Sequence, residues 1–203
     1  MPSTYDLKQK FSGLLRPIVN GLVRRGVSAN GVTWAALLLS VLYGAAIYWR
    51  PSLKPLFLYF PAVLLVRMAL NNIDGVIARE HDQKTALGGY LNELCDIVSD
   101  LVLYLPFALV SGFIPEVVLL FVLSGVVAEF AGVLAHAENR PRSYHGPATK
   151  SDRALVMALL GFAVYFGLEQ VLILNGVLVL MTLLSLVSLR NRVRHGTRAV
   201  ADV

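Results

Sequence analysis

Long runs of apolar residues recur along the whole chain and are separated by shorter polar segments. Each run is about 20 residues long, which is the length a helix needs to cross a hydrocarbon core about 30 Å thick. The runs lie at 31–49, 55–73, 87–110, 113–135, 153–168 and 170–189. The pattern predicts an all-α integral membrane protein with six transmembrane helices.

The first 27 residues follow a different pattern, in which apolar and basic positions recur at helical spacing. Leu7, Leu14 and Leu22 belong to the apolar face, and Lys8 and Lys10 lie on the opposite one. Such a segment is typical of an amphipathic helix in the membrane interface. We therefore predict a single membrane domain over 1–203, in which the interfacial segment 1–27 precedes the six-helix core 31–189 and the basic tail 190–203.

The composition and the positions of the charged residues indicate where the protein lies in the cell. The chain is 56% hydrophobic and 15% charged, whereas soluble domains are about 25% charged. Most lysines and arginines fall in alternate connections, and only Arg50 and Lys54 lie on the other side. The positive-inside rule then places both termini in the cytoplasm. The net charge of +5 is explained by topology and by contacts with membrane lipids, so we expect no nucleic-acid partner. A multi-pass protein of the bacterial inner membrane is predicted.

Polar residues cluster where the second and third runs approach the cytoplasmic side. Asn71 and Asp74 share one helix face, while Gly88, Asn92 and Asp96 form a stripe at a spacing of four residues. Ionisable side chains at membrane depth are costly and therefore indicate function. Carboxylate and amide oxygens are ligands of hard divalent cations, which also recruit substrate phosphates. The cluster predicts a Mg²⁺ or Mn²⁺ site on the cytoplasmic face.

Other interpretations of these residues stay open. Four small residues leave backbone exposed, which would admit either a neighbouring helix or a nucleotide diphosphate: Gly75, Ala78, Gly88 and Gly89. The acids could instead pair with Arg67 or Arg79, although the number of carboxylates exceeds what local pairing needs. Asp100, four residues beyond the cluster, is interpreted as a supporting or helix-pairing residue or as a further site residue.

The spacing of this cluster resembles a known signature. Asp74-Gly75-Val76-Ile77-Ala78-Arg79 is followed after eight residues by Gly88, and then by positions 92 and 96. The pattern is similar to that of the CDP-alcohol phosphotransferase (CDP-alcohol phosphatidyltransferase) family. The full signature carries acids where this chain has Asn71 and Asn92, so the chain resembles a divergent member. The resemblance covers most of the chain and implies six transmembrane helices and a two-metal site.

The resemblance also implies residue roles. An acceptor hydroxyl would attack a CDP-linked donor and release CMP. Asp96 would be the general base, and Asp74, the second catalytic residue, would help to supply the attack geometry. The implied metal shell is Asn71, Asp74, Asn92 and Asp96. Gly75 and Ala78 would line the cytidine, and Gly88 would be a further substrate-binding residue. Arg79 would either sit at the donor or stabilise the helix end. Asparagine supplies an oxygen without a charge, so either one ion is held less tightly or a substrate phosphate or Asp100 compensates.

Two flanking segments complete the predicted substrate site. Asn30 and Thr33 resemble the entrance to the first span in the family, and either cytidine lining or helix capping would explain them. The segment before the fifth run can bind an anion, and in the family it contacts the acceptor or the lipid phosphate; membrane anchoring alone is the alternative. Its candidate substrate-binding residues are Arg142, Lys150, Ser151 and Arg153. Arg67 and Glu129, both inside apolar runs, are predicted to pair.

The resulting hypothesis is a Mg²⁺- or Mn²⁺-dependent transferase of phospholipid biosynthesis. It would move a substituted phosphate from CDP-diacylglycerol or a CDP-alcohol to a small alcohol or a lipid acceptor whose identity the sequence leaves open. The resemblance implies a homodimer. The alternative is a catalytically inactive membrane scaffold or sensor that binds CDP-lipid, which the two asparagines favour.

Overall fold

The structure is a computed structural model that describes residues 4–137 and 142–198, with side chains described at 13–134 and 142–197. Those residues form seven α-helices, one short 3₁₀ helix and no strand. The α-helices are α1 (Thr4–Arg24), α2 (Ala29–Trp49), α3 (Lys54–Glu80), α4 (Ala86–Tyr104), α5 (Pro115–Ala137), α6 (Lys150–Tyr165) and α7 (Val171–Arg198). The prediction of an all-helical protein is confirmed.

Four helices in the described part of the chain are long and apolar enough to cross a membrane: α2, α3, α5 and α7. The predicted span at 87–110 corresponds to α4 followed by the 3₁₀ helix Leu105–Leu109. Pro106 enters that 3₁₀ helix near its start, where its missing N–H and ring prevent the α-helix from continuing. The predicted span at 153–168 corresponds to α6, which has 16 residues. All six apolar runs are helical, and four of them meet the length and composition of a membrane span.

The helices contribute to two compact units. The first contains residues 1–43 and 62–99, and its apolar core joins α1, α2 and α3. Leu15 and Val19 of α1 are buried with Val32, Ile73 and Ile77 in this core. The polar cluster predicted from the sequence lies entirely within this unit.

The opposite side of α1 leaves large apolar side chains uncovered. Leu14 and Ile18 are 75% and 52% exposed, and Arg16 and Arg24 beside them are exposed as well. One face of α1 therefore packs into the unit, while the other suits contact with a membrane surface. The apolar positions predicted before residue 13 lie outside the described side chains.

The second unit contains residues 44–61 and 100–203, and α5 packs along α7 in it. Its core includes a group of aromatic rings around Phe107, whose centroid lies 5.0 Å from that of Phe60 and 5.5 Å from that of Phe113. Asn175 of α7 accepts a hydrogen bond from the backbone N–H of Ile114 at 2.8 Å and donates one to the carbonyl of Gly112 at 2.8 Å. The short connection before α5 is thereby fixed to α7.

Candidate functional site

An open cavity of about 380 Å³ lies within the first unit, at the N-terminal end of α2 and beside the connection between α3 and α4. It is lined by Ala29, Asn30, Thr33, Asn71, Asp74, Gly75, Ala78, Arg79, Gln83, Lys84, Thr85, Gly88, Gly89 and Asn92. The volume falls within the range of small-molecule sites. The sequence-predicted residues of α2, α3 and α4 therefore converge on one cavity, with the exception of Asp96.

Asp74 is the carboxylate of this cavity, and it is buried, with 4% of its surface exposed. Its Oδ2 accepts a hydrogen bond at 2.7 Å from the hydroxyl of Thr33. The N-terminus of α2 is capped instead by Ser28, whose Oγ accepts the backbone N–H of Gly31 at 3.1 Å. Ser28 therefore provides the cap, and the hydroxyl of Thr33 contacts Asp74 and, at 3.2 Å, the backbone carbonyl of Ala29.

The small residues of the cluster bound the cavity. A methyl group added at Gly75 would lie 3.0 Å from Nη1 of Arg79, and one at Gly88 would lie 3.0 Å from Oδ1 of Asn30 and from Oγ1 of Thr85. These neighbours are the side chains that line the cavity, and none of them belongs to the backbone of a packed helix. The glycines therefore leave room beside the polar groups of the cavity.

The connection between α3 and α4 contributes three lining residues that were not predicted from the sequence: Gln83, Lys84 and Thr85. Gly89, in the first turns of α4, lines the cavity as well. Gln83 Oε1 accepts the backbone N–H of Ala29 at 2.9 Å, and Thr85 Oγ1 accepts that of Gly88 at 3.0 Å. Asp82 adopts φ +54°, a conformation that aspartate tolerates better than most residues. The polarity of this connection, next to the cluster, was the sequence signal that could have indicated these residues. That the connection contacts the start of α2 is known only from the tertiary structure.

Asp96 has a different environment. It is not a lining residue of the cavity, and its Oδ1 accepts a hydrogen bond from Nδ2 of Asn71 at 2.5 Å. Nη2 of Arg67 lies 3.8 Å from the same oxygen and 3.4 Å from the backbone carbonyl oxygen of Asp96. The interpretation in which an acid of the cluster pairs with Arg67 is correct for Asp96.

Glu129, the predicted partner of Arg67, is surrounded by arginines within the second unit. Its carboxylate lies 2.7 Å from Arg142, 3.0 Å from Arg153 and 3.4 Å from Arg192. Asp100 lies 3.9 Å from Arg153 as well. Asp96 faces Arg67 within the first unit, and arginines of later segments face Glu129 within the second. The members of the predicted Arg67–Glu129 pair lie in different units, and the pair stays a prediction. Arg192, one of the arginines around Glu129, is a residue that the sequence analysis treated only as part of a basic tail.

The predicted anion-binding segment joins the helices of the second unit. Arg142 and Arg153 form ion pairs with Glu129, while Lys150 and Ser151 lie in the first turn of α6. Asp152 accepts hydrogen bonds from the backbone N–H and the hydroxyl of Thr149 at 2.8 and 2.6 Å. Asp152 thus caps α6.

A family model describing CDP-alcohol phosphatidyltransferases matches residues 27–188. The chain belongs to the CDP-alcohol phosphatidyltransferase family. The match includes both the cavity and Glu129 with two of its arginines. Membership indicates a transferase of the CDP-alcohol phosphotransferase type that serves phospholipid biosynthesis.

The chain also resembles individual members and solved structures. It is 46% identical over 160 residues to the inner membrane protein YnbA of Escherichia coli, covering 79% of each chain. It resembles the Mycobacterium tuberculosis phosphatidylinositol phosphate synthase PgsA1 with CDP-DAG bound, at a TM-score of 0.71 and 20% identity, covering 89% of this chain and 92% of that one. The same synthase with manganese and citrate gives a TM-score of 0.70 at 20% identity, covering 89% and 87%. At this identity the two structures support the fold.

A divalent cation is implied by the predicted family chemistry, and the cavity provides donors for one. Asn71, Asp74 and Asn92 line the same space and can offer amide and carboxylate oxygens, which hard cations prefer. Among the described residues no group of three or more His, Cys, Asp or Glu side chains is placed to hold a metal. The donor set is thus dominated by neutral oxygen ligands, and it fits a cation that shares its coordination with substrate phosphate.

Proposed function

We propose that this protein transfers a substituted phosphate from a CDP-linked donor to an acceptor alcohol and releases CMP. This proposal rests on one observation: positions that match the family signature line the same cavity. They are Asn30, Thr33, Asp74 and Arg79. The M. tuberculosis relative with CDP-DAG bound supports a CDP-lipid donor. The candidate acceptors are a small alcohol or a lipid alcohol.

In the proposed step, the acceptor oxygen forms a bond to the phosphorus that carries the lipid or alcohol group. The bond from that phosphorus to the bridging diphosphate oxygen breaks, and CMP leaves with that oxygen. Asp96 accepts the hydroxyl proton as general base. Asp74, held by Thr33 at 2.7 Å, fixes the attack geometry from the cavity wall, and Arg79 and Lys84 there complement the negative charge of the diphosphate.

Three cavity residues, Asn71, Asp74 and Asn92, would also hold a divalent cation, Mg²⁺ or Mn²⁺. Asp96, which contacts Asn71, completes the proposed shell. When bound, the cation would stabilise the negative charge that builds up on the transferred phosphate. Gly75, Ala78 and Gly88 leave space beside these groups, which supports cytidine binding there. Arg142, Lys150, Ser151 and Arg153 remain the proposed contacts of the acceptor or of lipid phosphate.

We extend this proposal to the membrane topology. Four apolar helices and the relationship to an inner membrane protein support a location in the bacterial inner membrane. We propose that α4 with its 3₁₀ extension and α6 complete six crossings, with both termini and the cavity on the cytoplasmic side. Segment 1–27 would lie in the interface before the core 31–189 and the tail 190–203. One domain in a homodimer is the assembly proposed.

The first test is CMP release by the purified full-length protein. CDP-diacylglycerol, CDP-choline and CDP-ethanolamine would each be offered with a panel of acceptor alcohols, in the presence of Mg²⁺ or Mn²⁺ and in EDTA. We expect metal-dependent release with one donor–acceptor pair. If no donor–acceptor pair gave CMP release while an active family enzyme assayed alongside did, the proposal would be contradicted.

The Asp96→Asn variant tests the general base. The substitution preserves the size of the side chain but removes its capacity to accept a proton, so turnover should fall by at least about 10³-fold. Expression should remain close to wild type. An Asp96→Asn protein that retains activity would remove Asp96 as the base.

A second candidate function is a membrane scaffold or sensor that binds CDP-lipid without turnover. It is favoured by the neutral residues Asn71 and Asn92 and by the absence of a cluster of three acidic, His or Cys metal ligands among the described residues. Saturable binding of CDP-diacylglycerol without CMP release would support it. Release of CMP at rates comparable to a family enzyme would exclude it.

A further inference from the structure

The two carboxylates of the proposed site differ in their surroundings. Asp74 lines the cavity and accepts a hydrogen bond from the neutral hydroxyl of Thr33. Asp96 does not line the cavity, and its Oδ1 is approached by the amide of Asn71 and the guanidinium of Arg67. A fixed positive charge therefore stands beside Asp96, and Asp74 has a neutral hydroxyl as its hydrogen-bond donor.

The contact between Asn71 and Asp96 sets the orientation of the side-chain amide of Asn71. Only the NH₂ end of an asparagine can donate to a carboxylate, so the 2.5 Å contact assigns Nδ2 to the side facing Asp96. Oδ1 of Asn71 is then directed away from that carboxylate. Since Asn71 also lines the cavity, it holds Asp96 with one end and offers a ligand oxygen with the other.

Arg67 is placed where it opposes a cation at Asp96. Its side chain is 4% exposed and its Nη2 lies 3.8 Å from Oδ1 of Asp96. A divalent cation bound at that oxygen would stand close to the guanidinium, and like charges at such a distance repel strongly when little water intervenes. Positions 71 and 92 are neutral, so they add no charge that would offset this repulsion.

We propose that this chain holds a single divalent cation, at Asp74 with the amide oxygens of Asn71 and Asn92, and that Arg67 supplies the fixed positive charge beside Asp96. Arg67 is thus a positioning residue that orients Asp96 together with Asn71. The inference rests on the proposed function and deepens it, since it assigns a single-cation centre in place of the two-cation centre that the sequence resemblance implies.

The experiment counts bound Mn²⁺ directly. Purified wild-type protein in detergent would be equilibrated with Mn²⁺ and CDP, and the bound ions per chain would be measured by equilibrium dialysis. Electron paramagnetic resonance would report whether two Mn²⁺ ions are close enough to couple. Two variants accompany it: Asn71→Asp/Asn92→Asp, which adds two charges, and the same pair with Arg67→Gln, which also removes the guanidinium.

We expect one Mn²⁺ per wild-type chain with an uncoupled spectrum. The triple variant should bind a second ion with a coupled spectrum, at least tenfold more tightly than the double variant does. Two ions or none in the wild type would overturn the proposal, as would equal affinity of the double and triple variants for the second ion. If the triple variant fails to fold, the number of Mn²⁺ ions bound per wild-type chain still tests the proposal.

The single-cation centre and the transferase activity can be refuted independently of each other. CMP release by a chain that binds two ions would refute the single-cation centre and leave the transferase intact. One ion per chain without CMP release on any donor would support the centre and refute the transferase.

Discussion

The two compact units each enclose a buried acid, and the settings of these acids are opposite. The side chain of Glu129 in the second unit is 8% exposed and lies within 3.4 Å of three arginines. Asp74 in the first unit is 4% exposed, yet it accepts a hydrogen bond from a neutral hydroxyl and faces an open cavity.

The difference supports a structural role for Glu129 and the proposed ligand-binding role for Asp74. A buried carboxylate enclosed by guanidinium groups has its charge compensated within the protein and connects the segments that carry those groups. A buried carboxylate beside a cavity retains capacity for a ligand from outside. Burial alone therefore does not identify a site, because the surroundings of the buried acid decide its role.

Among the variants that test the comparison between the two units, the largest effect is expected from Asp74→Asn. The amide keeps the size of the side chain and can still accept from Thr33, so the fold should persist. CMP release should fall by about 10³-fold, because the carboxylate charge in the cavity is lost. The measurement is CMP release at saturating donor, and Glu116→Gln, an exposed acid in the first turn of α5, is the matched control. Comparable activity of the Asp74 variant and the control would remove Asp74 from the mechanism.

Glu129→Gln should act on stability. Removing the charge leaves buried guanidinium groups without their carboxylate, which costs about 3–5 kcal/mol and should lower the melting temperature by about 10 °C. Thermal unfolding in one detergent measures it, again beside Glu116→Gln. A melting temperature equal to that of the control would contradict the structural role of the arginine cluster.

A smaller effect is expected from Thr33→Val, which keeps the shape of the side chain and removes the hydrogen bond to Asp74. We expect kcat/KM to fall about tenfold, since hydrogen bonds to charged groups contribute about 1.5–3 kcal/mol. Thr182→Val is the control, because the hydroxyl of Thr182 donates to a backbone carbonyl one turn earlier in α7. Equal kcat/KM values for both variants would show that Thr33 does not position Asp74.

The smallest effect is expected from Arg16→Gln. Its ion pair with Glu80 spans 3.3 Å between side chains that are 64% and 47% exposed, and such surface pairs contribute less than about 1 kcal/mol. The melting temperature should change by no more than about 3 °C. A loss as large as that of Glu129→Gln would show that solvent exposure does not govern the strength of ion pairs in this protein.

Much of the site could be predicted from spacing. Residues three and four apart on a helix share a face, so the spacing alone groups Asn71 with Asp74 and Gly88 with Asn92. Contacts between helices could not be assigned in the same way. Gln83 and Lys84 were missed because they lie in an irregular connection with no periodicity. The contact of Arg67 with Asp96 could not be singled out, because buried charges in different helices allow several pairings.

The sequence by itself determined the helical class, the membrane character and the family, because hydrophobic run length and motif spacing are local properties of the chain. Tertiary structure alone decided that Thr33 bonds to Asp74, that Asn71 and Arg67 hold Asp96, and that Glu129 gathers three arginines. Each of those contacts joins residues between 13 and 63 positions apart. The partners of a buried charge depend on which helix surfaces meet, and the pattern of residues along a single helix carries no such information.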